Sequence, residues 1–115
     1  MGALRHTRYE LRLMAMVIGA CRLDLILPEN HSLKGKRSVV QSICAQVRRK
    51  FNVAIAEVED QDAWQVAGLG FTVVSSDVRH LDRMVQEVMD YIEQRANADG
   101  GAQLGGYQVE RIHAF

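Results

Sequence analysis

Residues 31–51, HSLKGKRSVVQSICAQVRRKF, combine the clearest helical period of the chain with its densest positive charge. At 100° per residue, Leu33, Val40, Ile43, Cys44, Val47 and Phe51 share one arc, the stripe of a helix lying on a sheet. Ser32 is the natural N-cap, because its hydroxyl accepts from an orphan amide of the first turn, and Pro28 blocks an earlier start. Gly35 then falls at the third helical position, where a Glu would complete a capping box, so this end is looser than it could be. Lys34, Arg37, Gln41 and Arg48 share one flank of the apolar arc, Lys36 adds charge to the first turns, and Arg49 and Lys50 close the helix. No acid lies between His31 and Ala56, so nothing along the chain neutralises this edge.

Two readings of the edge follow. One is a solvated flank whose Arg48, Arg49 and Lys50 complement the negative end of the helix dipole. The other is an anion or RNA-phosphate contact, because free amides and Lys34, Lys36 and Arg37 meet at a helix start entered through Asn30 and His31. Short basic runs are common, so the spacing alone does not choose between them.

Upstream, residues 17–27 alternate. Val17, Gly19, Cys21, Leu23, Leu25 and Leu27 point one way, and Ile18, Ala20, Arg22, Asp24 and Ile26 the other, which predicts a half-buried strand. Downstream, Asn52 is the expected helix exit, 53–58 reads as a second strand, and the acidic turn around Glu59, Asp60 and Asp62 leads to a third strand over 65–75. So short a connection predicts a hairpin. A second helix is expected over 77–95, capped by Ser76 or Asp77, with Val78, Leu81, Val85, Val88, Met89 and Ile92 inward. The glycine-rich stretch 99–106 lacks the strand-before, helix-after context of a phosphate loop and reads as a flexible connection to a last strand over 107–112.

Strand, helix, strand, strand, helix, strand, with two right-handed crossovers, is the α+β ferredoxin-like βαββαβ sandwich: a four-stranded antiparallel sheet with both helices on one face. The other sheet face would carry Ala20, Ala54, Ala56, Gly68, Gly70 and Val74, small and apolar enough to stack on a second sheet, which argues for a homodimer. Its central strands offer no outward aromatic for base stacking, so RNA binding by the sheet face is disfavoured.

The chain has 115 residues, 48% of them hydrophobic, enough for one domain with a real core and no need of disulfide or metal. Fourteen basic residues balance fourteen acidic ones, so any nucleic-acid contact must come from a local patch. Residues 1–15 read as a disordered extension, either a vector-derived scar or an alternative start, and 16–115 as the single domain. Arg5, Arg8, Arg12 and Glu10 lie in that extension, which excludes a signal or membrane segment and leaves the domain 11 basic against 13 acidic residues. Cys21 and Cys44 fall at apolar positions as core thiols, and with no CxxC a reducing cytoplasmic setting is expected.

MVIGACRLDLILP (16–28), HSLKGKRSVVQSI (31–43), RRKFNVAIAEVEDQDAWQ (48–65) and LGFTVVSSD (69–77) together resemble the YlxP-like family of small bacterial proteins, from Met16 to about Ile112. The resemblance implies a ferredoxin-like fold and a gene often beside those for translation initiation and ribosome maturation. It brings no catalytic residue. The family commonly has an acidic residue where this chain has Gly35.

Enzyme chemistry is poorly supported. Ferredoxin-like acylphosphatases hold phosphate with an Arg between the first strand and helix, whereas the loop here, Pro28-Glu29-Asn30-His31, meets no Arg until Arg37. Metal chaperones of this fold carry a Cys pair there, and none of the four His has ligand spacing with another. No cofactor or metal is expected. The reading that follows is a cytoplasmic, non-enzymatic accessory protein that binds RNA or a ribosomal component through Lys34, Lys36, Arg37, Arg48 and Arg49, with His31 at the helix entry. Two alternatives stay open: a homodimeric interaction module without nucleic-acid binding, and a small-anion binder or enzyme at 30–37.

Overall fold

The alternation of residues 17–27 becomes β1 (Met16–Ile26), the centre of a computed structural model that describes residues 16–99 and 101–115. The extension expected over residues 1–15 lies outside the described residues. α1 (Leu33–Lys50), β2 (Ala54–Glu59), β3 (Val66–Ser75), α2 (Val78–Asp99) and β4 (Gln103–Ala114) follow in the expected order. The strands form one antiparallel sheet in the order β2-β3-β1-β4. Both helices cover one face, so the molecule has the ferredoxin-like plan.

The core is what the two periodicities meet to make. Val17, Cys21, Leu23 and Leu25 of β1 and Ala67, Leu69, Phe71 and Val73 of β3 face Val40, Ile43, Cys44 and Val47 of α1 and Leu81, Val88, Met89 and Ile92 of α2. Gly19 belongs to the same face because a Cβ there would press to 3.1 Å from the Leu81 side chain. At roughly 25 cal/mol per Å² of apolar surface, these side chains supply the main force holding helices to sheet.

The strands β1, β2 and β3 are shifted by a residue at one or both ends, and three boundaries differ in ways that matter. α1 ends on Phe51 in an extended conformation (φ −125°, ψ 147°), its N–H bonded to Val47 O at 2.8 Å, so Asn52 is not the exit residue. α2 runs on through the buried Ala96 to Asp99, and Ala102 N–H returns to Ala96 O. β4 starts at Gln103 rather than 107, so two of the glycines read as a loop lie inside a strand. Leu25 faces Leu104 while Leu23 faces Tyr107, and this slip makes a bulge at Gly105 and Gly106. Gly105 is needed there, since a Cβ would come 3.2 Å from that of Asp24.

Candidate nucleic-acid interface

The outer face of α1 is set by its inner one. With the apolar arc pressed on the sheet, Lys34, Arg37, Ser38, Gln41, Arg48 and Arg49 are all exposed. The helix contains no acidic residue. Among the described residues no carboxylate comes within ion-pair distance of Lys34, Arg37 or Arg49. Arg48 is exposed as well, but its Nη2 donates to Ile55 O on β2 at 2.6 Å, which fixes that guanidinium at the helix's lower edge. Lys50 turns the other way, its ammonium 4.9 Å from the centre of the Tyr91 ring, and leaves the row.

Lys36 does not belong to this face. Its side chain is fully buried. The ammonium pairs with the Glu57 carboxylate at 2.9 Å and donates to Asp60 O, Gln61 O and Val66 O. A phosphate contact by Lys36 is therefore corrected to a structural role: an ammonium walled in by four oxygens of its own chain has no hydrogen left for a ligand. The period carried the signal, since 100° per residue sets Lys36 between Ile43 and Val47, in the middle of the buried arc.

The entry to α1 is also built from within. Ser32 Oγ accepts from Gly35 N–H at 2.9 Å, as its N-cap role requires. Asn30 gives its two amide hydrogens to Ser32 O and Trp64 O, both at 2.6 Å, and so ties the loop to the β2–β3 hairpin. A Cβ at Gly35 would overlap Asn30 Oδ1, which explains why the capping-box side chain is missing from this position. His31 is exposed beside the cap. With Asn30 committed to the fold, the loop offers an anion little beyond backbone amides and the flanking cations. No group of residues able to hold a metal ion occurs among the described residues.

The uncovered sheet face is divided. Val74, Ile18 and Ile112 lie side by side across β3, β1 and β4, with Val74 59% and Ile112 47% exposed. Next comes a shallow depression of about 340 Å³ lined by Ala20, Ala54, Ala56, Val58, Gly70 and Thr72. Beyond it Arg22 pairs with Asp24 at 3.0 Å and with Glu59. The Glu59 hydrogen bond raises the Arg22 pKa above its ordinary value. Gly68, expected on the open surface, is buried beneath that cluster: a Cβ would lie 2.8 Å from that of Glu59 and 3.2 Å from the Arg22 guanidinium. The bulge at Val58 brings this about by turning Glu59 onto Gly68, so Gly68 leaves the candidate contact set.

Both thiols are inert by position. Burial pushes Cys21 up to about 11, and it also raises Cys44, a shift that Arg48 opposes and Glu57 assists. No helix among the described residues is long and apolar enough to cross a membrane.

A family model described as a protein of unknown function, DUF503, matches residues 18–100. The uncharacterized protein YlxP of Bacillus subtilis (strain 168) is 36% identical over 77 residues, 67% of this chain and 84% of its own. Among solved structures, the de novo designed protein Foldit4 superposes with a TM-score of 0.50 at 14% identity, over 88% of this chain and 100% of its own. A hydantoinase/carbamoylase family amidase from Burkholderia ambifaria gives 0.49 at 10% identity, over 89% of this chain and 28% of the amidase. What Foldit4 has in common with this chain is the fold alone.

Proposed function

The chain belongs to the DUF503 family, and for it we propose an accessory role without catalysis: binding of RNA, free or within a ribosomal particle, in the cytoplasm. One observation carries this reading, the outer face of α1, where Lys34, Arg37, Arg48 and Arg49 are exposed on a helix with no acid. These four cations would sit on phosphates, with His31 at the helix entry. Because the whole chain is neutral, attraction is confined to this face, and the affinity is that of a local patch. Four phosphate contacts give a slope of log K against log salt of about −3 to −4. Co-sedimentation with ribosomal subunits and with free RNA at low and moderate salt tests it. Salt-sensitive association is expected, and absence of association at both salts overturns the reading.

A second reading, a homodimeric interaction module using the open sheet face, is favoured by the row of exposed Val74, half-buried Ile18 and exposed Ile112 and the small residues Ala20, Ala54, Ala56 and Gly70 beside it. Arg at Ala56 would bring a charge onto that apolar ground and dissociate such a dimer. A dimer that survives Ala56→Arg excludes this face.

A further inference from the structure

Among the described residues β4 closes one side of the sheet and pairs with β1 alone. It is twelve residues long, and no other described strand lies beside the backbone N–H and C=O groups of its outward edge. Such an edge is a template for another strand, and folded proteins blunt it with proline, lysine, bulges or short length. The other edge of this sheet is blunted in that way: β2 has six residues, bulges at Val58 and ends at Asp60 in the left-handed region. β4 bulges only at Gly105 and Gly106. From Tyr107 to Ala114 it has neither proline nor lysine, its only charged residues apart from His113 are Glu110 and Arg111, and its register with β1 is unbroken.

Its side chains point the same way. Tyr107 and Val109 lie on the helix-covered side of the sheet, opposite Leu23 and Cys21 of β1, yet remain 53% and 40% exposed. α2 reaches β4 through the ion pair of Asp82 with Arg111 and leaves these two uncovered. A large aromatic and a valine thus stay open to solvent on the helix side of an edge strand.

We infer that β4 pairs antiparallel with β4 of a second copy about a two-fold axis at Val109, joining two four-stranded sheets into one of eight strands. An antiparallel pair about this axis keeps like faces together and sets Val109 against Val109, Tyr107 against Arg111 and Gln108 against Glu110. Each pair is favourable: apolar on apolar, guanidinium near a phenol ring, amide beside carboxylate. An axis at Glu110 or at Arg111 sets like charges directly opposite, which opposes pairing. The occupant is therefore a second copy of this chain, chosen by a register that complements itself. α1 packs over β2 and β3, away from this edge, so the inference is independent of the RNA reading and leaves the basic face free on both copies.

Disulfide trapping tests the axis directly. Residues directly opposed in an antiparallel pair have Cβ atoms about 4.5–5.5 Å apart. Val109→Cys therefore brings two thiols together, and diamide, by taking up their two hydrogens, joins them as a disulfide-linked dimer. Ile112→Cys on the same strand faces Gly106 of the second copy and forms no disulfide-linked dimer under the same oxidant. The native Cys21 and Cys44 are buried and contribute no background. By sedimentation, Val109→Lys raises the dimer dissociation constant about tenfold or more. A wild-type chain that sediments as a monomer, or equal cross-linking of Ile112→Cys and Val109→Cys, overturns the inference. Should Val109→Lys fold poorly, the cysteine pair still decides.

Discussion

The Lys36 ammonium stands 2.9 Å from the Glu57 carboxylate, the lysine side chain wholly buried and the glutamate 16% exposed. Asp60 O at 2.6 Å, Gln61 O at 3.2 Å and Val66 O at 3.3 Å complete its surroundings. One cation from the first turns of α1 thus gathers the carbonyls of the β2–β3 hairpin. Desolvating both ions costs several kcal/mol, which the pair and the carbonyls repay only together. The arrangement fixes where the hairpin lies more than it raises net stability.

Removing one side of that arrangement is expected to be severe. Lys36→Met leaves the largely buried Glu57 carboxylate unpaired and takes a donor from three carbonyls, of which Asp60 O keeps Ala63 N–H, and it destabilises the chain by roughly 3–5 kcal/mol, read from urea unfolding. Adding Glu57→Leu recovers part of the loss, because no unpaired carboxylate is then left behind. Arg111→Ala breaks a pair whose members are 49% and 44% exposed and costs under about 1 kcal/mol. Equal losses for Lys36→Met and Arg111→Ala would contradict this ranking.

Charge reversal separates the outer face of α1 from the buried lysine. Arg37→Glu and Arg49→Glu are expected to weaken RNA association across sequences, each lowering the salt slope by about one, with folding unchanged. Binding that ignores both substitutions removes the α1 face from consideration.

Gly35 and Asn30 are coupled. Gly35→Ala normally gains about 1 kcal/mol in a helix, but here the new Cβ meets Asn30 Oδ1, so the single substitution is expected to destabilise. In an Asn30→Ala background that overlap is gone and only the 3.0 Å approach to Ser32 Oγ opposes the gain, so the same change costs less. This non-additivity in a double-mutant cycle is the measurement, and additive effects would show that the two residues do not touch.

The thiols give the chain an alkaline limit. Cys21 is raised from 9.0 to about 11 and Cys44 is raised too, in both cases chiefly by burial. The folded state therefore holds these protons longer than the unfolded one. Their stabilising contribution is complete below pH 9 and is lost as pH rises through about 11. Denaturation midpoints followed across that window should fall. At pH 8 both thiols should react with a maleimide far more slowly than in denaturant.

Strong periodicity made most of the fold legible. The apolar arc of α1, the alternation of β1 and the inner face of α2 each satisfied one period over several turns, and burial followed them. Legibility failed where a residue type pointed against its position. Lys36 reads as surface by chemistry, yet it is core by angle, and only the carbonyls of a distant hairpin make its burial tolerable. Gly105 and Gly106 read as loop by composition, but both lie within a strand, at a bulge where Gly105 passes close to Asp24. Gly68 followed its alternation correctly, and what covered it was the bulge at Val58, which no local pattern announced. At the candidate interface, Lys34, Arg37 and Arg49 were legible from the missing acids. The bond from Arg48 to Ile55 O depends on where β2 lands and has no local signal.

β1 takes β3 on one side and β4 on the other, and β4 is the last of the described strands along the chain. The central strand of a nascent chain therefore waits with one edge open until both helices and the hairpin have been translated. Contacts between such distant segments slow folding, and an open hydrophobic edge is a site of misassembly meanwhile. A chain stopped before Gln103 would keep both helices and the hairpin, yet it would present β1 itself to its neighbours. Quality control of such stalled products would then act on a strand that the finished protein never exposes.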